Sequence, residues 1–282
     1  MGKISSAFEK AAGQKKGGAG AASATGDKAP GKQTRQAVSP RRDLRLAAHP
    51  LDPNLVTLST ESSFATEQFR LLKTHLRYGM GDHPPRSIMV TSALPGEGKS
   101  FVAANLAISL AQNRKEHVVL IDCDLRKPTI QKLFGMKNLP GLSEYLQNGT
   151  DISDFIVGTV QEKLTLIPAG RPPANPLELL ASEEMADLLQ ELKQQYSDRY
   201  LIIDTPPPTM TAEANALARQ VDAILLVVRK GRASADTVSD LVENLNREKI
   251  AGVVFNHFEI PRVSALGYGR YAKYGKYKQY YK

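Results

Sequence analysis

Short apolar runs separated by stretches of helical period are the dominant pattern along the middle of this chain. Ile88-Met89-Val90, Val118 to Asp122, Leu164 to Ile167, Leu201 to Ile203, Ala223 to Val228 and Gly252 to Phe255 are the runs, most without strict polar alternation. That is how strands buried on both faces read. The stretch Lys99 to Gln112 is rich in Ala and Leu and reads as a helix. Thr60 to Tyr78 sets Phe64, Phe69, Leu72 and Leu76 on one helical face and leaves Glu67, Arg70 and Lys73 on a more polar side. Helices between successive parallel strands make right-handed crossovers. The expected fold is therefore a doubly wound, mainly parallel α/β sheet with helices on both faces.

Charge divides the chain into three. The 282 residues carry a net +8, with +7 in residues 1–50 and +6 in residues 262–282, which leaves −5 on residues 51–261. The basic character thus belongs to the ends, and the middle can attract a basic segment at low salt. We read residues 1–55 as a basic low-complexity segment, 56–261 as one catalytic domain and 262–282 as a Tyr-rich basic tail. Ile4, Phe8 and Ala11 or Ala12 share a helical face ahead of the Gly/Ala/Lys stretch 13–32, which fits a marginal helix on a linker better than a membrane helix. Gly2 and Ser6 match an acylation pattern too short to carry weight. Cys123 is the single cysteine, which excludes an intrachain disulfide and a thiolate metal cage and suits a reducing compartment. The run Ala223 to Val228 is far shorter than a bilayer span, so the expected location is cytoplasmic.

Chemistry enters at Thr91-Ser-Ala-Leu-Pro-Gly-Glu-Gly-Lys-Ser100, which follows a strand and opens a helix. Backbone N–H groups around Gly96, Glu97 and Gly98 can face a phosphate because glycine accepts the dihedrals, and the helix N-terminus adds partial positive charge. Pro95 and Phe101 flank the cradle and are counted with it as nucleotide-binding residues. Lys99 would bridge the β- and γ-phosphates and Ser100 would ligate Mg²⁺. Ala93 stands where the standard pattern has its first glycine. Asp122-Cys-Asp124-Leu-Arg126 and Asp204-Thr-Pro-Pro207 put three carboxylates at strand ends beside the loop, the edge where open α/β sheets collect ligands. One such Asp alone would pass for a helix cap. Three together point to metal ligands, with Ser100, Asp122 and Asp204 as the set, and to a proton acceptor.

With these motifs the chain resembles the bacterial tyrosine kinases, a P-loop family related to the MinD/ParA ATPases, over about residues 60–282. The resemblance implies that Lys99, Asp122, Asp124, Arg126 and Asp204 are catalytic. Asp122 is the first choice for base and metal ligand, assisted by Asp124; Asp204 holds Mg²⁺ through water. Arg126 either stabilises developing charge or fixes the motif through an ion pair. Asn256, at the end of Gly252-Val-Val-Phe-Asn256, matches an adenine-reading position or is a simple turn residue. Glu67, Arg70 and Lys73 resemble the family's E-x-x-R-x-x-R self-association helix; Lys73 replaces a bidentate arginine, which leaves Arg77 as a substitute. Gly170 to Leu180 resembles the family's loop after the third strand. Glu213 stands where many members have Asp, as in the subgroup that works with an exosortase.

The last fifteen residues carry Tyr268, Tyr271, Tyr274, Tyr277, Tyr280 and Tyr281. Gly267, Gly269 and Gly275 interrupt any helical stripe. Interleaved basic and aromatic residues also suit single-stranded nucleic acid or an anionic membrane, but beside a phosphate loop they are better read as phosphoacceptors, with no nucleic acid expected. The resemblance implies an ATP- and Mg²⁺-dependent autokinase acting in trans in exopolysaccharide or capsule export. Its implied partners are further copies in a ring-like assembly, an inner-membrane chain-length-determinant protein and a tyrosine phosphatase, the membrane protein placing it at the inner membrane. The alternative is a MinD/ParA-like positioning ATPase of the same fold, a nucleotide-switched binding module that transfers nothing to protein. Those proteins usually carry a second lysine early in the loop, where this chain has Ala93-Leu-Pro-Gly.

Overall fold

The computed structural model describes residues 49–59, 63–80, 84–114, 116–194 and 199–258. The N-terminal basic segment up to residue 48 and the tyrosines Tyr268 to Tyr281 lie outside the described residues. Seven strands form one sheet: β1 Ser87–Ser92, β2 His117–Asp122, β3 Val157–Gly158, β4 Leu164–Ile167, β5 Arg199–Asp204, β6 Ala223–Arg229 and β7 Ile250–Asn256. Their order is β3-β4-β2-β5-β1-β6-β7, parallel throughout except for β3 against β4. The two-residue β3 is too short to leave a sequence signal.

The helices are α1 Phe64–Tyr78, α2 Lys99–Ala111, α3 Ile130–Leu133, α4 Leu142–Asn148, α5 Pro176–Leu180, α6 Glu183–Gln194, α7 Ala212–Ala218 and α8 Ala235–Asn244. Strand alternation divides the core between the two faces of the sheet. Met89, Ile121, Ile203 and Leu226 pack with Leu188 and Leu192 of α6, Leu217 of α7 and Leu241 of α8. Ile88, Val90, Leu120 and Ile202 pack with Leu106 and Leu110 of α2 and with Phe69 and Leu76 of α1. Each side chain buried in this way stabilises by ~1.5–3 kcal/mol. Helix α2 lies between the sheet and α1, so Val102 through Ala111 are all buried and it shows no polar face.

Helix α1 begins at Phe64, four residues later than the periodicity suggests, because Ser63 caps it by accepting from Thr66 N. Phe64 was expected on the apolar face and is instead 47% exposed. Lys73, expected on the polar side, turns inward and donates to Ser109 O at 3.1 Å. Arg70 pairs with Glu67 at 3.0 Å and Arg77 with the buried Glu116 at 2.9 Å. Of the self-association residues, Glu67 and Arg70 thus lie on the surface of α1, while Lys73 and the substitute Arg77 are engaged within the chain.

The segment Leu55–Leu58 is tied to α2 by one buried amide. Asn105 Oδ1 accepts from Thr57 N and Thr57 Oγ1, and its Nδ2 donates to Asn54 O and Phe101 O. Asn105→Ala leaves these groups buried without partners and is expected to cost ~1–3 kcal/mol in urea denaturation. A loss below about 0.5 kcal/mol would show that this side chain does not hold the segment.

Candidate active site

Strand register assembles the site. Asp122 ends β2 directly opposite Asp204 at the end of β5, and Asp204 pairs with Val90 of β1, three residues before the phosphate loop begins at Ala93. The loop runs into α2 through Gly96 at φ 78° and Gly98 at φ 93°, a left-handed backbone that favours glycine. Ala93 is fully buried with its carbonyl accepting from Thr209 Oγ1, so the missing first glycine costs the loop no positive-φ position.

Lys99 heads α2 and reaches back over this edge. Its ammonium donates to Asp124 Oδ2 at 2.9 Å and to Ser100 Oγ at 3.3 Å, and lies 3.9 Å from Asp204 Oδ1. Burial disfavours its charge, but Asp204, Asp124 and Asp122 outweigh that and hold it above the ordinary lysine value. The sequence-predicted Lys99, Ser100, Asp124 and Asp204 are therefore brought together.

Asp122, expected first as base and metal ligand, has both carboxylate oxygens on backbone donors. Its Oδ1 accepts from Asp124 N at 3.1 Å, and its Oδ2 accepts from Thr129 N and Ile130 N at 3.2 and 3.1 Å. It is fully buried, and burial, with the Asp204 charge next, pushes it up to about 8 against the pull of the Ile130 N–H and Lys99. In this geometry it organises the loop that presents Asp124. Arg126 makes an ion pair, with Nε and Nη2 on Glu213 Oε1 at 2.8 and 2.7 Å.

Asp204 is fully buried, and neither of its oxygens has a hydrogen-bond partner. Burial pushes it up to about 6; Lys99 and the Ser100 hydroxyl favour the anion without completing a hydrogen bond to it. Two orphaned carboxylate oxygens beside a serine hydroxyl fit a hard divalent cation. No three His, Cys, Asp or Glu side chains among the described residues form a ready metal cage.

Three further side chains touch the loop and escaped the sequence analysis in this role. Glu97, expected to act through its backbone, is buried and accepts from Leu94 N at 2.7 Å and Arg229 N at 3.2 Å. Arg229 and Arg232 donate to loop carbonyls from the end of β6. Two arginines directly after a strand that ends on the ligand edge were the available signal. Asn256, an expected adenine reader, has its amide on Glu97 O at 2.8 Å and its Oδ1 on His257 N. Pro95 lies in the loop and Phe101 stands edge-on to Phe69. After β4, Gly170 takes φ 84° and Ser143 and Glu144 of α4 hold Arg171, fixing the loop that leads to α5.

Residues 85–254 match a family model described as an AAA domain. Tyrosine-protein kinase YwqD of Bacillus subtilis is 34% identical over 76% of this chain and 90% of its own. The putative tyrosine-protein kinase EpsB of Ralstonia solanacearum is 36% identical over 75% of this chain but only 28% of its own length. The kinase domain of Escherichia coli tyrosine kinase ETK superposes with a TM-score of 0.69 at 32% identity, covering 76% of this chain and 84% of that domain. A ParA-family ATPase at 21% identity shares the fold alone. A P-loop enzyme that takes a nucleotide is the class these findings and the site define. The chain belongs to the bacterial tyrosine-protein kinases.

Asp204 also sets a pH dependence. Its folded value of about 6 lies above the ordinary 3.8, so the folded state holds the proton more tightly. The stability this gives is present below about pH 4 and is lost as pH rises through about 6. Asp204→Asn removes the buried charge and is expected to melt several degrees above the nucleotide-free wild type at about pH 8, with the gap closing toward about pH 5, at ~2–4 °C per kcal/mol for a domain of this size. Parallel calorimetric curves across that range would contradict the burial argument.

Proposed function

We propose that this kinase uses ATP and Mg²⁺ to phosphorylate Tyr268, Tyr271, Tyr274, Tyr277, Tyr280 and Tyr281 of a neighbouring copy. The observation that carries the reading is Lys99, held between Asp124 and Asp204 at the mouth of a loop whose N–H groups suit phosphates. On nucleotide binding Lys99 exchanges Asp124 for the β- and γ-phosphates. Ser100 and Asp204 would hold Mg²⁺, which supplies neutralising charge at those phosphates. Asp124, 6% exposed and freed from Lys99, accepts the phenol proton as the tyrosine oxygen bonds to the γ-phosphorus; the bond to the β-phosphate oxygen breaks and ADP leaves. A base matters because a phenol of pKa about 10 is ionised in only about one molecule in a thousand at neutral pH. Asp122 keeps Asp124 in place through the Asp124 N–H.

The family resemblance supports the setting: control of exopolysaccharide or capsule polymerisation and export, at the cytoplasmic face of the inner membrane, with a chain-length-determinant protein as activator and a tyrosine phosphatase to reset the tail. Among the described residues no helix is long and apolar enough to cross a membrane, so attachment would come through that partner. A positioning ATPase of the same fold would hydrolyse ATP and leave no phosphotyrosine.

Lys99→Met is expected to abolish autophosphorylation in a folded protein, read on an anti-phosphotyrosine blot after incubation with Mg²⁺ and ATP; undiminished signal would remove the phosphate-loop argument. Asp124→Asn should lower turnover by about a hundredfold or more at nearly unchanged melting temperature. Asp122→Asn turns an amide N–H onto backbone donors and should cost ~1–3 kcal/mol of stability as well. A stable Asp122→Asn protein that is catalytically dead, beside an active Asp124→Asn, would return the base to Asp122.

Charge links the tail to assembly. With +6 on residues 262–282 and −5 on residues 51–261, an unmodified tail suits a neighbour's acidic edge, and each phosphate adds about −1.5 to −2. Unphosphorylated or Lys99→Met protein is expected to self-associate more than phosphorylated protein at low salt, with salt shrinking the difference. Equal masses by light scattering across a concentration range would exclude control of assembly by charge.

A further inference from the structure

Every carbonyl of the phosphate loop from Ala93 to Gly98 accepts a hydrogen bond, and the donors divide into two groups. Thr209 Oγ1 reaches Ala93 O, Ser92 Oγ reaches Leu94 O at 2.9 Å, and Val102 N closes the first helical turn on Gly98 O at 3.0 Å. The three carbonyls between them are each taken by a side chain from the far edge of the sheet. Arg232 Nη2 donates to Pro95 O at 2.9 Å, Arg229 Nη1 to Gly96 O at 3.3 Å and Asn256 Nδ2 to Glu97 O at 2.8 Å.

In a trans peptide the carbonyl and the following N–H point in opposite directions. Drawing the carbonyls of Pro95, Gly96 and Glu97 toward β6 and β7 therefore turns the N–H groups of Gly96, Glu97 and Gly98 the other way. Those are the groups the sequence assigns to phosphate binding. A concave run of N–H groups repels itself when no anion fills it, so an external hold on the opposite side lowers the cost of forming it. The donors are themselves fixed: Arg232 N bonds Arg229 O, Lys230 N bonds Asn256 O, and Arg229 N sits on the buried Glu97 carboxylate. The glycines also make room for the donors. A Cβ on Gly98 would collide with the Asn256 amide nitrogen, and one on Gly96 would come within 3.0 Å of Arg232 Nη2.

We propose that Arg229, Arg232 and Asn256 are positioning residues for the nucleotide, a brace outside the phosphate loop that presets its three phosphate-binding N–H groups. The inference rests on the loop being the nucleotide site. It gives the arginines no contact with phosphate and Asn256 no contact with adenine.

The test compares Arg229→Ala, Arg232→Ala and Asn256→Ala with wild type in full-length protein, measuring affinity for ADP, ATP and GTP with Mg²⁺, KM and kcat of autophosphorylation, and nucleotide-free melting temperature. Each substitution is expected to weaken ADP and ATP in the same ratio, by about three- to tenfold for one lost hydrogen bond. KM for ATP should rise more than kcat falls, the preference for ATP over GTP should hold, and the melting temperature should stay within about 2 °C. Asn256→Ala changes no charge, so its loss cannot come from long-range attraction. Arg232→Lys, which keeps one donor, should recover most of the affinity. The proposal is overturned by unchanged affinities, by a loss confined to ATP, which would put an arginine on the γ-phosphate, or by an Asn256→Ala protein that no longer prefers ATP to GTP, which would make Asn256 the adenine reader. A wild-type protein that binds none of the three nucleotides would instead remove the phosphate-loop reading itself.

Discussion

A buried ammonium among three buried carboxylates is the interaction on which the rest of this structure depends. Lys99 is charged in a place that disfavours charge, and it remains so because Asp124 is 2.9 Å away and Asp204 is 3.9 Å away. Those acids are there because β2, β5 and β1 run parallel in a register that aligns Asp122, Asp204 and Val90. A register slip of one residue would turn each acid to the other face of the sheet and leave Lys99 without a counter-ion. The sheet is thus the device that makes the charge cluster tolerable, and the apolar runs that specify the sheet also specify the site. Acid still exceeds base there, and the imbalance appears as the upward displacement of Asp122 and Asp204. A site in that state favours whatever brings positive charge to Asp204.

The loop is stabilised from both sides of the sheet. Toward β5, Thr209 holds its start; toward β6 and β7, two arginines, an asparagine and the Glu97 carboxylate hold its middle. Individually these bonds are modest and several are solvent-exposed, worth ~1 kcal/mol each at most. Together they mean that the loop's shape is not a property of its glycines alone. Gly96 and Gly98 permit the backbone path, while donors a hundred and more residues away in sequence select it.

That separation explains what the sequence disclosed. Strands buried on both faces and a helix opened by Gly-Lys-Ser are local patterns, so β1, β2, β4 to β7 and α2 were legible, as were Lys99, Asp124 and Asp204 at their ends. The side chains that depend on a partner far along the chain were not. Lys73 looks like a surface residue by helical period, yet it turns inward because the carbonyl of Ser109 lies within its reach. Phe64 looks like a core residue, yet helix α1 starts at that point and the side chain of its first residue is exposed. Asp122 and Asp124 are indistinguishable as letters in Asp-Cys-Asp. Only the fold separates them: the turn Asp124 to Ile130 brings its N–H groups back onto Asp122, while Asp124 takes the Lys99 ammonium and Lys127 N.

Lys73 and Arg77 also limit how copies would meet. A guanidinium at position 73 could span a neighbour's carboxylate with a fork; an ammonium there has settled on a carbonyl of its own chain, and burial lowers its pKa. Arg77 is likewise held by Glu116. What α1 still presents outward is the Glu67–Arg70 pair and Phe64, Leu71 and Tyr78, exposed at seven-residue spacing along one line of the helix. An exposed i,i+3 ion pair contributes little, whereas an apolar line of that length is worth several kcal/mol when covered. The self-association we propose would therefore draw its affinity along α1 from apolar burial, and from charge chiefly through the tail.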